Sequence, residues 1–247
     1  MIRIKNITLG EGRPKICVPI MAACRAQAET QAAECAGNPA AELVELRVDY
    51  LQETKEPELL KECLVAVAGK LGDKPLLCTL RTMKEGGNLS VTDQEYGEIL
   101  ITCIESGAVD ILDIELFHEE EVVRRVIESA KEQNIAVLMS SHDFQKTPAK
   151  DEIVARLMQM ERMGADLAKI AVMPKSREDV LTLLAASSIA NTCMDIPVIA
   201  ISMGNLGSIS RVAGRVFGSA ITFGAGAKAS APGQLEAGKL KEILELL

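Results

Sequence analysis

Eight short apolar segments alternate with eight longer segments of helical period along these 247 residues, and that alternation constrains the fold more than any other feature. The short segments lie at 15–19, 43–48, 76–79, 111–115, 137–141, 167–172, 198–202 and 220–222. Their length and their Val, Ile and Leu content are those of strands covered on both faces. Helical period runs through 23–36, 56–71, 93–106, 119–134, 149–163, 176–190 and 209–217, and from about 235 to the C-terminus. Asp93, Pro148 and Ser176 stand where helix caps or first turns are expected, and Gly37, Gly107 and Gly164 where helices should stop. Strict alternation over this length predicts an α/β fold of the (β/α)8 TIM-barrel type. A doubly wound sheet is the competitor, but no GxGxxG follows the first strand, which weakens its dinucleotide-binding version. Residues 2–12 precede the first barrel strand and are expected to form a short hairpin closing the barrel bottom. No linker, charge block or low-complexity stretch divides the chain, so residues 1–247 form a single domain in this reading.

Composition narrows the function. Aromatics make up only 2% and tryptophan is absent, so the core must be aliphatic. The net charge of −8 argues against a nucleic-acid surface and makes inward-facing arginines more notable. Seven cysteines, at 17, 24, 35, 63, 78, 103 and 193, include no CxxC pair. With two histidines in the chain, no zinc spacing appears, and no metal or cofactor is expected. The thiols read as free and mostly buried in a reducing compartment. The N-terminus lacks a signal-peptide core and no apolar run reaches membrane-spanning length, so a soluble cytoplasmic protein is expected.

The chemistry stands at the strand ends, where a barrel places its active site. Lys169 interrupts the apolar run Leu167-Ala168-Lys169-Ile170-Ala171-Val172. A lysine buried there loses its proton more readily, and a neutral amine can attack a carbonyl to form a Schiff base. The bland alternative is a strand-end lysine whose head reaches water. Around it the other strands end in Glu45 and Arg47, in Arg81 followed by Glu85, in Asp113 and Glu115, and in His142. Met203 and Arg211 follow strand seven, and Phe223, Ser230 and Gln234 follow strand eight. Glu45, Arg47, Asp113 and Glu115 could equally form a structural ion-pair network, and Met203 and Phe223 could be core. An amine beside an imidazole suits imine chemistry on a ketone, with His142 as proton acceptor and donor. Arginines would hold a carboxylate and, as like charges, disfavour a protonated lysine. Glu45 or Glu85 would balance charge or orient His142.

The pieces GEGRPKICVP (10–19), ELRVD (45–49), LRTMKEGG (80–87), SSHDF (140–144), the Lys169 strand, SMGNLGSISR (202–211), FGSAITFG (217–224) and ASAPGQL (229–235) come in an order and spacing that is highly specific. Nearly the whole chain resembles type I 3-dehydroquinate dehydratase. The resemblance implies a (β/α)8 barrel, usually a homodimer, that removes water from 3-dehydroquinate in the syn sense through a lysine imine, without a metal, in the shikimate route to chorismate and aromatic amino acids. It implies Lys169 as the Schiff-base residue, His142 as proton donor and acceptor, and Glu85 as helper carboxylate. It implies Glu45, Arg47, Arg81, Arg211, Ser230 and Gln234 as substrate-binding, Arg211 taking the carboxylate, with Met203 and Phe223 lining the pocket and residues 224–233 acting as a lid. Pro19 stands where some members carry a substrate-contacting serine. The rival readings are another class I Schiff-base lyase or aldolase on the same barrel, and a non-catalytic binding barrel or scaffold.

Overall fold

Side chains of a strand point alternately to its two faces, and in this barrel each face has its own apolar core. The computed structural model describes residues 1–226 and 233–247. Among them, the hairpin strands β1 (Ile2–Ile4) and β2 (Ile7–Leu9) come first. The barrel strands follow: β3 (Lys15–Ile20), β4 (Leu43–Arg47), β5 (Leu76–Thr79), β6 (Ile111–Glu115), β7 (Ala136–Asp143), β8 (Leu167–Val172), β9 (Val198–Ser202) and β10 (Ile221–Phe223). All barrel pairings are parallel, in the order β10-β3-β4-β5-β6-β7-β8-β9. A bridge between Val198 and Ser219, with Ala220 N–H donating to Val198 O at 2.7 Å, brings β9 and β10 together.

The outward residues Ile16, Val18, Val44, Leu46, Leu112, Ile114, Val137, Met139, Ala168 and Ile170 pack against the helices. The inward residues change character along the strand. At the amino end stand Cys17, Leu43, Leu77, Ile111, Leu138, Leu167, Ile199 and Ile221. Ile4, Ile7 and Leu9 of the hairpin join that same cluster and close the barrel bottom, as expected. Two residues further on, the inward positions become Glu45, Thr79, Asp113, Ser140 and Lys169. The period of two thus turns one strand face from oily floor to charged mouth.

The helices are α1 (Arg25–Gly37), α2 (Pro57–Leu71), α3 (Asp93–Glu105), α4 (Glu120–Glu132), α5 (Lys150–Arg162), α6 (Arg177–Cys193), α7 (Gly214–Phe217) and α8 (Ala237–Leu246). Thr92 with Glu95 and Ser176 with Asp179 form reciprocal capping boxes that start α3 and α6. None of the described helices is long and apolar enough to cross a membrane.

Three boundaries differ from expectation for local reasons. The helix expected over 209–217 is a 3-10 turn, Ser208–Arg211, followed by the single turn of α7. Ser210 Oγ turns back to Gly207 O (2.8 Å) and accepts from Ser202 N (2.9 Å), which competes with the helical ladder. Strand five runs on through His142 to Asp143, because β8 continues to pair with it at Ala171 and Val172. Val48, expected in strand two, starts a 3-10 turn to Tyr50, pinned by Thr54 Oγ1 on its carbonyl. Of the seven cysteines, all free, five are buried, Cys24 is half-buried and Cys193 is exposed.

Candidate active site

A pocket open to solvent at one side occupies the barrel mouth. Lys169 rises into it from β8, 4% exposed. Its Nζ lies 3.7 Å from Asp113 Oδ2 and 3.9 Å from Glu45 Oε1, longer than a hydrogen bond, and 4.4 Å from the centre of the Phe223 ring. Both groups that pair with the amine are carboxylates, and Asp113 Oδ2 is also the oxygen that Arg81 Nη2 meets, so the ammonium and that guanidinium share one carboxylate. Arg47 grips Asp49 with two bonds of 2.7 and 2.8 Å. Arg81 is buried and reaches Asp113 (2.7 Å), Glu115 (2.9 Å) and Ser140 (3.0 Å). Glu45 Oε1 accepts from Thr79 Oγ1 at 2.9 Å.

His142 is held from below by one carboxylate oxygen. Glu85 Oε2 lies 2.9 Å from both the backbone nitrogen and Nδ1 of His142, which leaves Nε2 for another partner. Glu85 sits on a 3-10 turn, Met83–Glu85, that needs the glycines after it. Gly86 has φ +79°, and a β-carbon there would lie 2.3 Å from the Phe144 ring. Burial, reinforced by the charges of Arg81, Lys169 and Arg47, holds the His142 imidazole well below its usual range. Burial pushes the Glu85 carboxyl up to about 8; Arg81 opposes the rise and Glu115 and Asp113 add to it. The pair therefore shares one proton rather than forming an ion pair. While the proton stays, it lies on the carboxyl side and Nε2 carries the ring hydrogen. Once it leaves, Nδ1–H faces the carboxylate and Nε2 is a bare acceptor.

The raised Glu85 carboxyl has a signature in stability. Between about pH 4.5, where the unfolded group titrates, and pH 8 the folded state binds the extra proton, so this group's contribution is lost as pH rises through that window. Glu85→Gln removes the titration. From pH 5 to pH 8.5 the variant should gain on the parent by about 2 kcal/mol or more, roughly 4–8 °C in Tm. Calorimetric melts at the two pH values check this; parallel curves would contradict it.

Arg211 is 2% exposed, its Nη1 3.4 Å from Phe223 O, and burial pulls its guanidinium down to about 10. The cavity thus collects Lys169, His142, Glu85, Glu45, Arg47, Arg81, Met203, Arg211, Phe223 and Gln234. Ser230, and the lid expected over 224–233 apart from its ends, lie outside the described residues. The chain reading missed Gly86, Phe144, Ala171 and Ile201 as lining residues. Ala171 and Ile201 were legible as the inward positions after Lys169 and Ile199. Phe144 was not, because it reaches the mouth only through its packing on Gly86.

A barrel whose polar cavity opens at the carboxyl ends of its strands is the architecture of a barrel enzyme that encloses a small polar molecule. The model of the type I 3-dehydroquinase family matches residues 16–247. A 3-dehydroquinate dehydratase of Listeria monocytogenes is 49% identical over 244 residues, which is 99% of this chain and 96% of the relative. The crystal structure of a type I 3-dehydroquinate dehydratase from Clostridium difficile, with covalently modified comenic acid, superimposes with TM-score 0.95 at 42% identity, over 99% of this chain and 96% of that one. A 3-dehydroquinate dehydratase from Geobacillus kaustophilus gives TM-score 0.96 at 36% identity, over 100% of this chain and 95% of that one. The chain belongs to the type I 3-dehydroquinase family.

Proposed function

We propose that the protein is a hydro-lyase that removes water from 3-dehydroquinate to give 3-dehydroshikimate, through an imine on Lys169. The observation that carries this is the placement of a buried amine in the same cavity as a buried imidazole whose Nδ1 is already taken by Glu85. Lys169 Nζ attacks the ketone and one water leaves as the C=N bond forms. The protonated imine draws electrons from the neighbouring carbon. His142 Nε2 takes the proton from that carbon and the electron pair goes to the imine nitrogen as an enamine; the nitrogen pair then returns, the ring C=C forms and the β C–O bond breaks, the hydroxyl leaving as water with the proton His142 took. A single base on one face serves both transfers, which suits syn loss. Hydrolysis then restores the amine and the conjugated ketone.

Arg211 takes the substrate carboxylate in this reading. A buried guanidinium gains most from an anion that shares its dry site. Glu45, Arg47, Arg81 and Gln234 serve the substrate hydroxyls, with Ser230 as a further contact, and Met203 and Phe223 form walls. Arg211→Ala should raise KM by roughly 30- to 1000-fold, the loss of a charge-assisted pair worth about 2–4 kcal/mol, and lower kcat less. Steady-state kinetics decide it, and an unchanged KM removes the assignment. The same reading takes 1–247 as one domain, a homodimer, acting in the cytoplasm on a step of the shikimate route.

The test of the whole is direct. The protein is given 3-dehydroquinate, the conjugated product is followed by its ultraviolet absorbance, and a parallel sample is reduced with borohydride and mapped by mass spectrometry. Dehydration with the adduct on the Lys169 peptide supports the reading. Cleavage of a sugar phosphate without dehydration would replace it with an aldolase.

A further inference from the structure

We infer that His118 is a positioning residue for this reaction: by bridging Asp93 at the start of α3 to Glu115 at the end of β6, it holds the Glu115–Arg81–Glu85 chain that governs proton exchange at His142. The inference rests on His142 and Glu85 being the proton-transfer pair.

Both ring nitrogens of His118 face carboxylates. Nδ1 lies 2.7 Å from Asp93 Oδ1 and Nε2 lies 3.1 Å from Glu115 Oε2. A neutral imidazole has one N–H and would turn a lone pair on one of those oxygens; only imidazolium donates to both. The side chain is 1% exposed, so water does not intervene. Tyr96 stacks on the ring at 3.8 Å, and its hydroxyl accepts the Glu115 N–H at 2.8 Å, so one aromatic holds both the histidine and the strand end.

The charged and titratable groups facing this imidazole are Asp93 and Tyr96 from α3 and Glu115 from β6. Lys84 stands 3.8 Å beyond Asp93, and Arg81 binds the other oxygen of Glu115. Burial opposes a charge on His118, but its bonds to Glu115 and Asp93 outweigh that and raise it above its usual range. Burial alone would raise Glu115 too; His118, Arg81 and Thr82 together hold it at about 2.

From Glu115 the contacts run straight to the active site. Its Oε2 also accepts from Thr82 Oγ1 (2.7 Å), and its Oε1 accepts from Thr82 N and from Arg81 (both 2.9 Å). Thr82 opens the turn that carries Glu85, its carbonyl accepting from Glu85 N (3.0 Å) and Gly87 N (2.8 Å). Arg81 Nη1 lies 3.5 Å from Glu85 Oε2, the oxygen that meets His142. Removing the positive charge from His118 leaves the Glu115 carboxylate less neutralised. Its field then holds the shared proton of the Glu85–His142 pair more tightly, and the turn under Glu85 is less firmly fixed.

The chain has two histidines, so ring-nitrogen NMR on protein labelled with 15N-histidine gives two sets of signals. In the parent, His118 should show both nitrogens protonated through neutral pH, while His142 shows neutral-ring shifts that change tautomer as the pair loses its proton. In His118→Gln the His142 transition should move up by roughly half a pH unit, and kcat should fall about tenfold with KM within about twofold. Asp93→Asn weakens the same bridge from outside the cavity and should move both in the same direction, which provides a second variant if the first folds poorly. The inference is overturned if parental His118 is neutral at pH 6.5 and below, or if the His142 transition stays in place in the folded variants, whatever happens to kcat. Glu85→Gln separates the two ideas. If it too leaves the His142 signals unmoved, the pair itself is wrong; if it moves them while His118→Gln does not, only the role of His118 falls.

Discussion

Lys169→Ala is expected to give a folded barrel whose turnover of 3-dehydroquinate is at least about 10⁴-fold below the parent. Among the described residues no other lysine lines the cavity, so Lys169 is the amine expected to carry imine formation. The barrel should survive because the carboxylates that lose the ammonium keep other partners. Glu45 still accepts from Thr79, and Asp113 still binds Arg81 and Ser140. The ion pairs lost are long, 3.7 and 3.9 Å, so the melting temperature should fall by less than about 10 °C. Circular dichroism melts establish the fold, and borohydride reduction with substrate should give no adduct. An adduct on another side chain, with turnover near the parental rate, would move the chemistry off β8.

His142→Ala should lower kcat by roughly 10²- to 10⁴-fold, the range for losing a positioned proton-transfer group, yet leave the amine able to react. The distinguishing result is what accumulates. Reduction of the reacting variant should trap on Lys169 an imine that still carries the substrate's hydroxyl, because the carbon proton is no longer removed. In the parent the trapped species should include the dehydrated imine. The mass difference of one water between the two adducts reads this directly. A near-parental kcat, or a variant that traps only the dehydrated form, would assign the proton transfer to another group. Alanine also uncovers Glu85, whose Oε2 keeps the backbone N–H of residue 142 and the Arg81 contact, so the turn at 83–85 should hold its place.

Much of this site was legible along the chain because a strand has a period of two. Once Leu167 and Lys169 are placed on the inward face, Ala171 follows; once Leu43 is placed there, so are Glu45 and Arg47. Eight such strands, alternating with helices, leave little freedom in where the charged ends meet. The quoted motifs then separated this barrel from others, and the match over residues 16–247 agrees with that.

Pairing was not legible in the same way. Which carboxylate each arginine takes has no local signature: Arg47 binds Asp49, and Arg81 binds Asp113 and Glu115, while both line the cavity. His118 carried no motif, and its partner Asp93 lies 25 positions earlier. The helix expected over 209–217 broke because a serine hydroxyl found the backbone of β9, a contact with no local signature.

The order of strands and the face each polar strand residue occupies were determined by the sequence itself, because hydrophobic period is a property of neighbouring residues. Only the tertiary structure decided which carboxylate holds which cation, that Glu85 rather than Glu45 sits under His142, and that a second histidine anchors the network. Those choices depend on distances between strands and helices far apart in the chain, and on a dry interior in which every charge must find a partner.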